Sequence, residues 1–91
     1  MSMEEKVVHV VMKNVTRGND GLSGSVMIGI YDDVEMAKST VVSHMNSIYE
    51  NHNGCHIQEI EEGYLITISP TYVVSLYSYP MVLNVDYTLL N

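Results

Sequence analysis

The sequence predicts an α+β domain in which one helix lies on one face of an antiparallel sheet, in the order β-β-α-β-β-β-β. Three observations predict it. Valine-rich or alternating stretches flank a single segment of helical period, turn-forming residues separate those stretches, and the helical segment opens on an acidic cap and closes before a glycine.

Residues 5–12, EKVVHVVM, read as a mostly buried strand because β-branched residues run between polar ends. The following KNVTRGNDGLSG gathers Asn, Gly, Asp and Ser and reads as an exposed loop over 13–24. SVMIGIY, residues 25–31, is the second strand, in which Gly29 marks a bulge or a close backbone approach. The period then changes. Asp32 stands at an N-cap position with Glu35 three residues on, the capping-box pattern. Val34, Ala37, Val41, Met45 and Ile48 follow at spacings of three and four, one stripe of a helix over roughly 33–51 that faces a sheet, and Gly54 is the stop.

CHIQEIEEGYLITIS, residues 55–69, reads as strand, turn, strand, with Glu62-Gly63 near the turn. After Pro70, TYVVSLYSY forms a strand with Tyr72, Val74 and Leu76 on one side; Pro80 breaks it before the last strand, MVLNVDYTLL. Val73, Tyr77, Tyr79, Val82 and Leu90 are apolar on the second face, where a solvated sheet carries polar residues. One helix covers one face and leaves the other bare. At 91 residues the chain is one domain, 1–91, small enough for self-association to enlarge its buried area. A homodimer meeting through Tyr77, Tyr79, Val82, Tyr87 and Leu90 is the expectation, tyrosine being the only aromatic and common at interfaces.

The formal net charge is −7 and unevenly spread. Residues 1–38 hold all four bases (Lys6, Lys13, Arg17, Lys38) beside six acids, whereas residues 39–91 hold five acids and no base. Such a field repels phosphate backbones and anionic membranes and favours a basic partner. The candidate partner-binding residues are Asp32, Asp33, Glu35, Glu50, Glu59, Glu61 and Glu62. On a strand, Glu59 and Glu61 would project from one face about 6.5–7 Å apart, a spacing similar to neighbouring phosphates. Acids at a helix start also complement the helix dipole, so local stability accounts for part of the pattern.

Other chemistries find little to work with. His52, Cys55 and His56 lack the second ligand pair of a zinc site, and read as a helix-end turn and a small core residue. Cys55 with His44 or His56, or Glu59 with Glu61 and Glu62, falls in no catalytic motif, and no glycine-rich phosphate cradle follows a strand. The expectation is a protein with no enzymatic activity, metal or cofactor. A lone cysteine fits a reducing compartment, and the chain opens without a basic and apolar leader, so a cytoplasmic site is expected.

In size, acidity, cysteine poverty and fold class the chain resembles the small host-takeover proteins of bacteriophages. Among these it is similar to DNA-mimic inhibitors, a likeness carried by composition along the whole chain. The resemblance implies carboxylates standing in for phosphates on the DNA-binding surface of a basic host protein, with HU-type nucleoid proteins among the targets, and a host-cytoplasmic location. The other reading is a structural or adaptor module that binds a protein through its apolar sheet face.

Overall fold

The computed structural model describes residues 6–18 and 22–83. They form β1 (Lys6–Arg17), β2 (Leu22–Tyr31), α1 (Val34–Asn51), β3 (His56–Ile60), β4 (Gly63–Ser69) and β5 (Tyr72–Leu83). The five strands make one antiparallel sheet in the order β2-β1-β5-β4-β3, and α1 packs on one face. The α+β class and the helix-on-sheet arrangement are those the sequence predicts.

The centre is the β1–β5 ladder, which runs from Lys6 opposite Leu83 to Arg17 opposite Tyr72. Residues opposite one another share a face, and successive residues alternate. Val11, Val15, Tyr72, Val74, Leu76 and Ser78 therefore face α1, whereas Val8, Val10, Met12, Asn14, Tyr77 and Tyr79 face away from it. The helix-side core joins Val11, Val74, Leu76 and Ile66 to Ala37 and Val41, each at most 3% exposed. Met45 and Ile48 extend the helix stripe at lower burial, and Val34, in the first turn, stays 38% exposed.

Four details differ from the sequence reading, each for a physical reason. The region read as a loop over 13–24 is mostly strand: β1 continues to Arg17 and β2 begins at Leu22, since Lys13, Asn14 and Val15 pair with β2 on one side and β5 on the other. The helix starts one residue later, with Asp33 as the N-cap; its φ of −113° and ψ of 122° aim the carboxylate at the Glu35 N–H, 2.8 Å away. Asp32 makes no such contact.

Glu61 is not on a strand, because β3 ends at Ile60 and Glu61-Glu62 form the tight connection to Gly63. Finally, β5 runs through Pro80. The Ser78 N–H points toward β4, where it donates to the Glu62 carbonyl at 3.0 Å, and β4 pairing with β5 stops at Tyr77. By alternation the Pro80 nitrogen points to that same edge, beyond the last β4 partner, so its missing N–H costs no β4–β5 ladder bond among the described residues. A continuous strand also shifts the phase, placing Val82, opposite Val7, on the other face from Tyr77 and Tyr79.

The region around Gly29 holds the bulge its sequence position signals, and the close approach there is by a side chain, not by another backbone. The β1–β2 register shifts between Val11 and Met12, leaving Ile28 as the extra residue of a bulge. The Tyr31 ring lies over Gly29, where an added Cβ would approach its hydroxyl to 2.9 Å. Gly63 is more constrained still, since an added Cβ would land on the Leu76 carbonyl oxygen.

Gly24, by contrast, has nothing within 4 Å of an added Cβ. In urea unfolding, Gly63→Ala should cost about 3 kcal/mol or more through backbone displacement. Gly24→Ala should be neutral or stabilising by about 0.4–1 kcal/mol.

Candidate functional site

The charged groups separate by face. From the sheet face away from α1, the described residues project no acid; Lys6 and His56, at its margins, are its only ionisable groups apart from tyrosines. All seven candidate acids lie on the helix side or at the ends of elements. Asp32, Asp33 and Glu35 sit at the start of α1, Glu59 projects from β3 toward the helix side opposite Tyr64, and Glu61 and Glu62 form the β3–β4 turn.

The structure thus brings six of the seven acids to one end of the sheet. The spread is wide: β2, which delivers Asp32, and β4 are three strand spacings apart, roughly 14 Å. Glu50 stands apart, 15 residues along the helix from Glu35, or about 22 Å. Because Glu61 is in a turn, the phosphate-like spacing expected of Glu59 and Glu61 is not supplied by strand geometry. Among the described residues no carboxylate makes an ion pair, and only that of Asp33 has a hydrogen-bond partner.

Part of this end is concave. A cleft of about 340 Å³ lies between α1 and the β3–β4 hairpin. Lys38 and the apolar Val41 and Val42 form its helix wall, and Ile60, Glu59 and Glu62 its hairpin wall. Tyr64 and Ser78 complete it.

Three local features build the cleft. Gly63, without a Cβ, allows β4 to press against Leu76 and Tyr77 of β5. The Ser78 N–H then ties the Glu62 carbonyl to β5. Glu62 completes the turn with a φ of 61°, in the left-handed region where glycine or asparagine is easier.

Ser78 is a residue that sequence reasoning missed. It is the one polar side chain in the buried set, 5% exposed, and opposes core residue Val11 in register. Among the described residues its hydroxyl has no hydrogen-bond partner. A signal was present: Ser78 continues the buried phase of Tyr72, Val74 and Leu76, a place where a serine must be satisfied or be used.

The expected dimer residues divide. Tyr77 and Tyr79 do share the open face, their rings 6.2 Å apart at 30°, and Asn14 Nδ2 donates to the Tyr77 hydroxyl at 3.1 Å. Asn14 Oδ1 is buried without a partner, and Val8 and Val10, on the same face, are 5% and 1% exposed. Val82 lies on the opposite face, and Tyr87 and Leu90 fall outside the described residues.

The residues weighed as metal ligands also separate. Cys55 packs against the core, and His52 meets Tyr72 edge-on at 5.9 Å, the same ring that Arg17 covers at 4.4 Å. His56 projects from the other face. Among the described residues no three His, Cys, Asp or Glu side chains are grouped to hold a metal ion, and no helix is long and apolar enough to cross a membrane. Comparison of the chain with protein-family models, curated proteins and solved structures yields no match.

Three substitutions test which acids shape the backbone. Asp33→Ala should lower stability by about 1 kcal/mol through loss of the cap, whereas Asp32→Ala should change it little. Glu62→Gly should raise stability by about 1 kcal/mol by relieving the left-handed conformation. Urea midpoints at equal slope measure all three.

Proposed function

We propose that the protein is a non-enzymatic acidic binding protein that occupies the basic surface of a DNA-binding protein and competes with DNA. The observation that carries this reading is the segregation of carboxylates: among the described residues they gather unpaired on the helix side and at one end, beside Lys13, Arg17 and Lys38, and the opposite sheet face projects none. Such an arrangement offers a basic partner a directed field, which steers encounter and repels DNA itself. An HU-type nucleoid protein is the first target to test, with action in the cytoplasm, a host's cytoplasm for a phage-encoded chain.

Two copies meet through the open face, where Tyr77 and Tyr79 flank Val10 and carboxylates of the two copies stay apart. That face, which projects no acid among the described residues, also supports a second reading, an adaptor that binds a protein through apolar contacts and uses its charge for solubility. Exposed Met27 and Ile30 beside Val10 and Met12 favour it.

Salt separates the two. In a gel-shift competition, the protein should release DNA from an HU-type dimer without binding DNA. Neutralising Glu59, Glu61 and Glu62 to glutamine should weaken release about tenfold, since each exposed carboxylate contributes below about 1 kcal/mol. Partner binding, measured directly by titration calorimetry with no DNA present, should fall steeply between about 50 and 300 mM salt. Binding that is indifferent to both salt and charge assigns the protein to the adaptor class.

Tyr79→Asp should convert the dimer to a monomer in sedimentation, while Met36→Asp, on the exposed helix surface, leaves it intact. A parent chain that sediments as a monomer at high micromolar concentration removes the dimer.

A further inference from the structure

We propose that the cleft between α1 and the β3–β4 hairpin is an anchor pocket that receives an arginine side chain of the partner. The proposal rests on the acidic-binding reading and deepens it by naming one residue type at one place. Two independent observations meet there. Glu59 and Glu62 bring two carboxylates without ion-pair partners to its rim. Ser78, 95% removed from solvent, lines the same cleft with a hydroxyl that has no partner among the described residues. An isolated acidic cluster on a surface would have no reason to include a serine that is 5% exposed and whose hydroxyl has no partner among the described residues.

The chemistry of the lining selects the occupant. Carboxylates and a hydroxyl oxygen accept hydrogen bonds, so the ligand must donate several at once and carry positive charge. Val41, Val42 and Ile60 supply apolar wall. A guanidinium is planar, weakly hydrated and carries five donors in a fixed fork, which suits a site with several acceptors and apolar sides. An ammonium is strongly hydrated and presents its donors at a single point. The volume, about 340 Å³, is at the small end of ligand pockets and matches one long side chain better than a cofactor.

Lys38 gives the proposal a sharp sign. Its side chain lines the cleft yet makes no ion pair with Glu59 or Glu62. It therefore acts as a weak internal competitor, a cation near the carboxylates that an incoming guanidinium must displace. Removing that cation should tighten binding, whereas removing a base from an ordinary solubilising surface would alter affinity only through net charge.

The probe is an acetylated, amidated tetra-arginine peptide, titrated into the full chain at low salt and followed through backbone amide shifts. Shifts should concentrate at Lys38, Val41, Glu59, Gly63, Tyr64 and Ser78 and be small at Asp32, Asp33 and Glu50. Glu59→Gln with Glu62→Gln should weaken binding at least tenfold. Ser78→Ala, which keeps the shape and removes the acceptor, should weaken it about tenfold.

Lys38→Met should tighten binding severalfold, and by more than Lys6→Met, which makes the same change in net charge away from the cleft. Shifts spread evenly over all the acids, unchanged affinity in folded Ser78→Ala, or equal effects of Lys38→Met and Lys6→Met would overturn the pocket. A tetra-lysine peptide binding as tightly at the same amides would overturn the guanidinium assignment. The DNA-competition assay separates this from the broader reading. If Ser78→Ala and the Glu59/Glu62 double variant release DNA as well as the parent, the pocket falls and the acidic-binding reading stands. If the parent releases no DNA, that reading falls while the peptide titration still reports on the cleft.

Discussion

The register of the central β1–β5 ladder is the constraint on which the other features depend. Val11 opposite Ser78 and Val15 opposite Val74 direct one phase of each strand to the helix, and the other phase to the opposite face. A slip of one residue would send Tyr77 and Asn14 under the helix and Val11 and Leu76 into solvent. Burial holds the register in place, since Val11 and Leu76 are fully buried and Val74 is 1% exposed. The separation of carboxylates from the open face follows from the same alternation, because β4 and β3 inherit their phase from β5. The chain thus obtains a directional surface from a core-packing decision, with no ion pair among the described residues to enforce it.

That arrangement carries a stability cost, which the fold limits locally. Grouping carboxylates at one end raises their mutual repulsion, and a net charge of −7 on a small domain works against compactness. Asp33 and Glu35 offset part of this by lying at the positive end of the helix dipole, and Asp33 also satisfies an otherwise orphaned amide. The other terminus has no base in its last turn; the nearest cation, Arg17, is stacked on Tyr72. The helix is therefore stabilised electrostatically at the acidic end alone.

The sequence revealed most of the fold where a pattern was long and the physics local. The helix was legible because Val34, Ala37, Val41, Met45 and Ile48 hold a helical period for four turns, and its start was off by one residue because two adjacent aspartates offered equivalent caps. Strand continuity was harder to read. Proline at position 80 reads as a break unless one knows that its nitrogen faces the edge beyond the last β4 partner, which is a tertiary fact. The polar run after Met12 reads as a loop because Lys13, Asn14 and Thr16 suit solvent, yet β1 continues because partners on both sides pair its backbone. For the site, the acidic residue types were visible, but the grouping of Glu59 and Glu62 with Ser78 was not. It requires the turn at Glu61-Glu62 and the close approach at Gly63, neither of which has a periodic signature.

Two choices in that small region are unfavourable when judged locally. A glutamate occupies a left-handed position that glycine would hold at about 1–2 kcal/mol less cost, and a serine occupies a largely buried position that valine or alanine would fill without a polar atom. At several other places local preference and environment agree: β-branched residues fill the central strands, glycine occupies the positive-φ positions 18 and 54, and an aspartate caps the helix. Asn14, with a buried and unpaired Oδ1, is a third exception on the far face of the sheet. Glu62 and Ser78, however, are joined directly, the carbonyl of one accepting a hydrogen bond from the N–H of the other, and exceptions so joined share a cause more readily than they arise separately. The feature common to Glu62 and Ser78 is the cleft. A carboxylate held at its rim by a strained turn and a hydroxyl held unpaired at its side are both improved by a donor-rich cation, and by nothing else the surrounding residues supply.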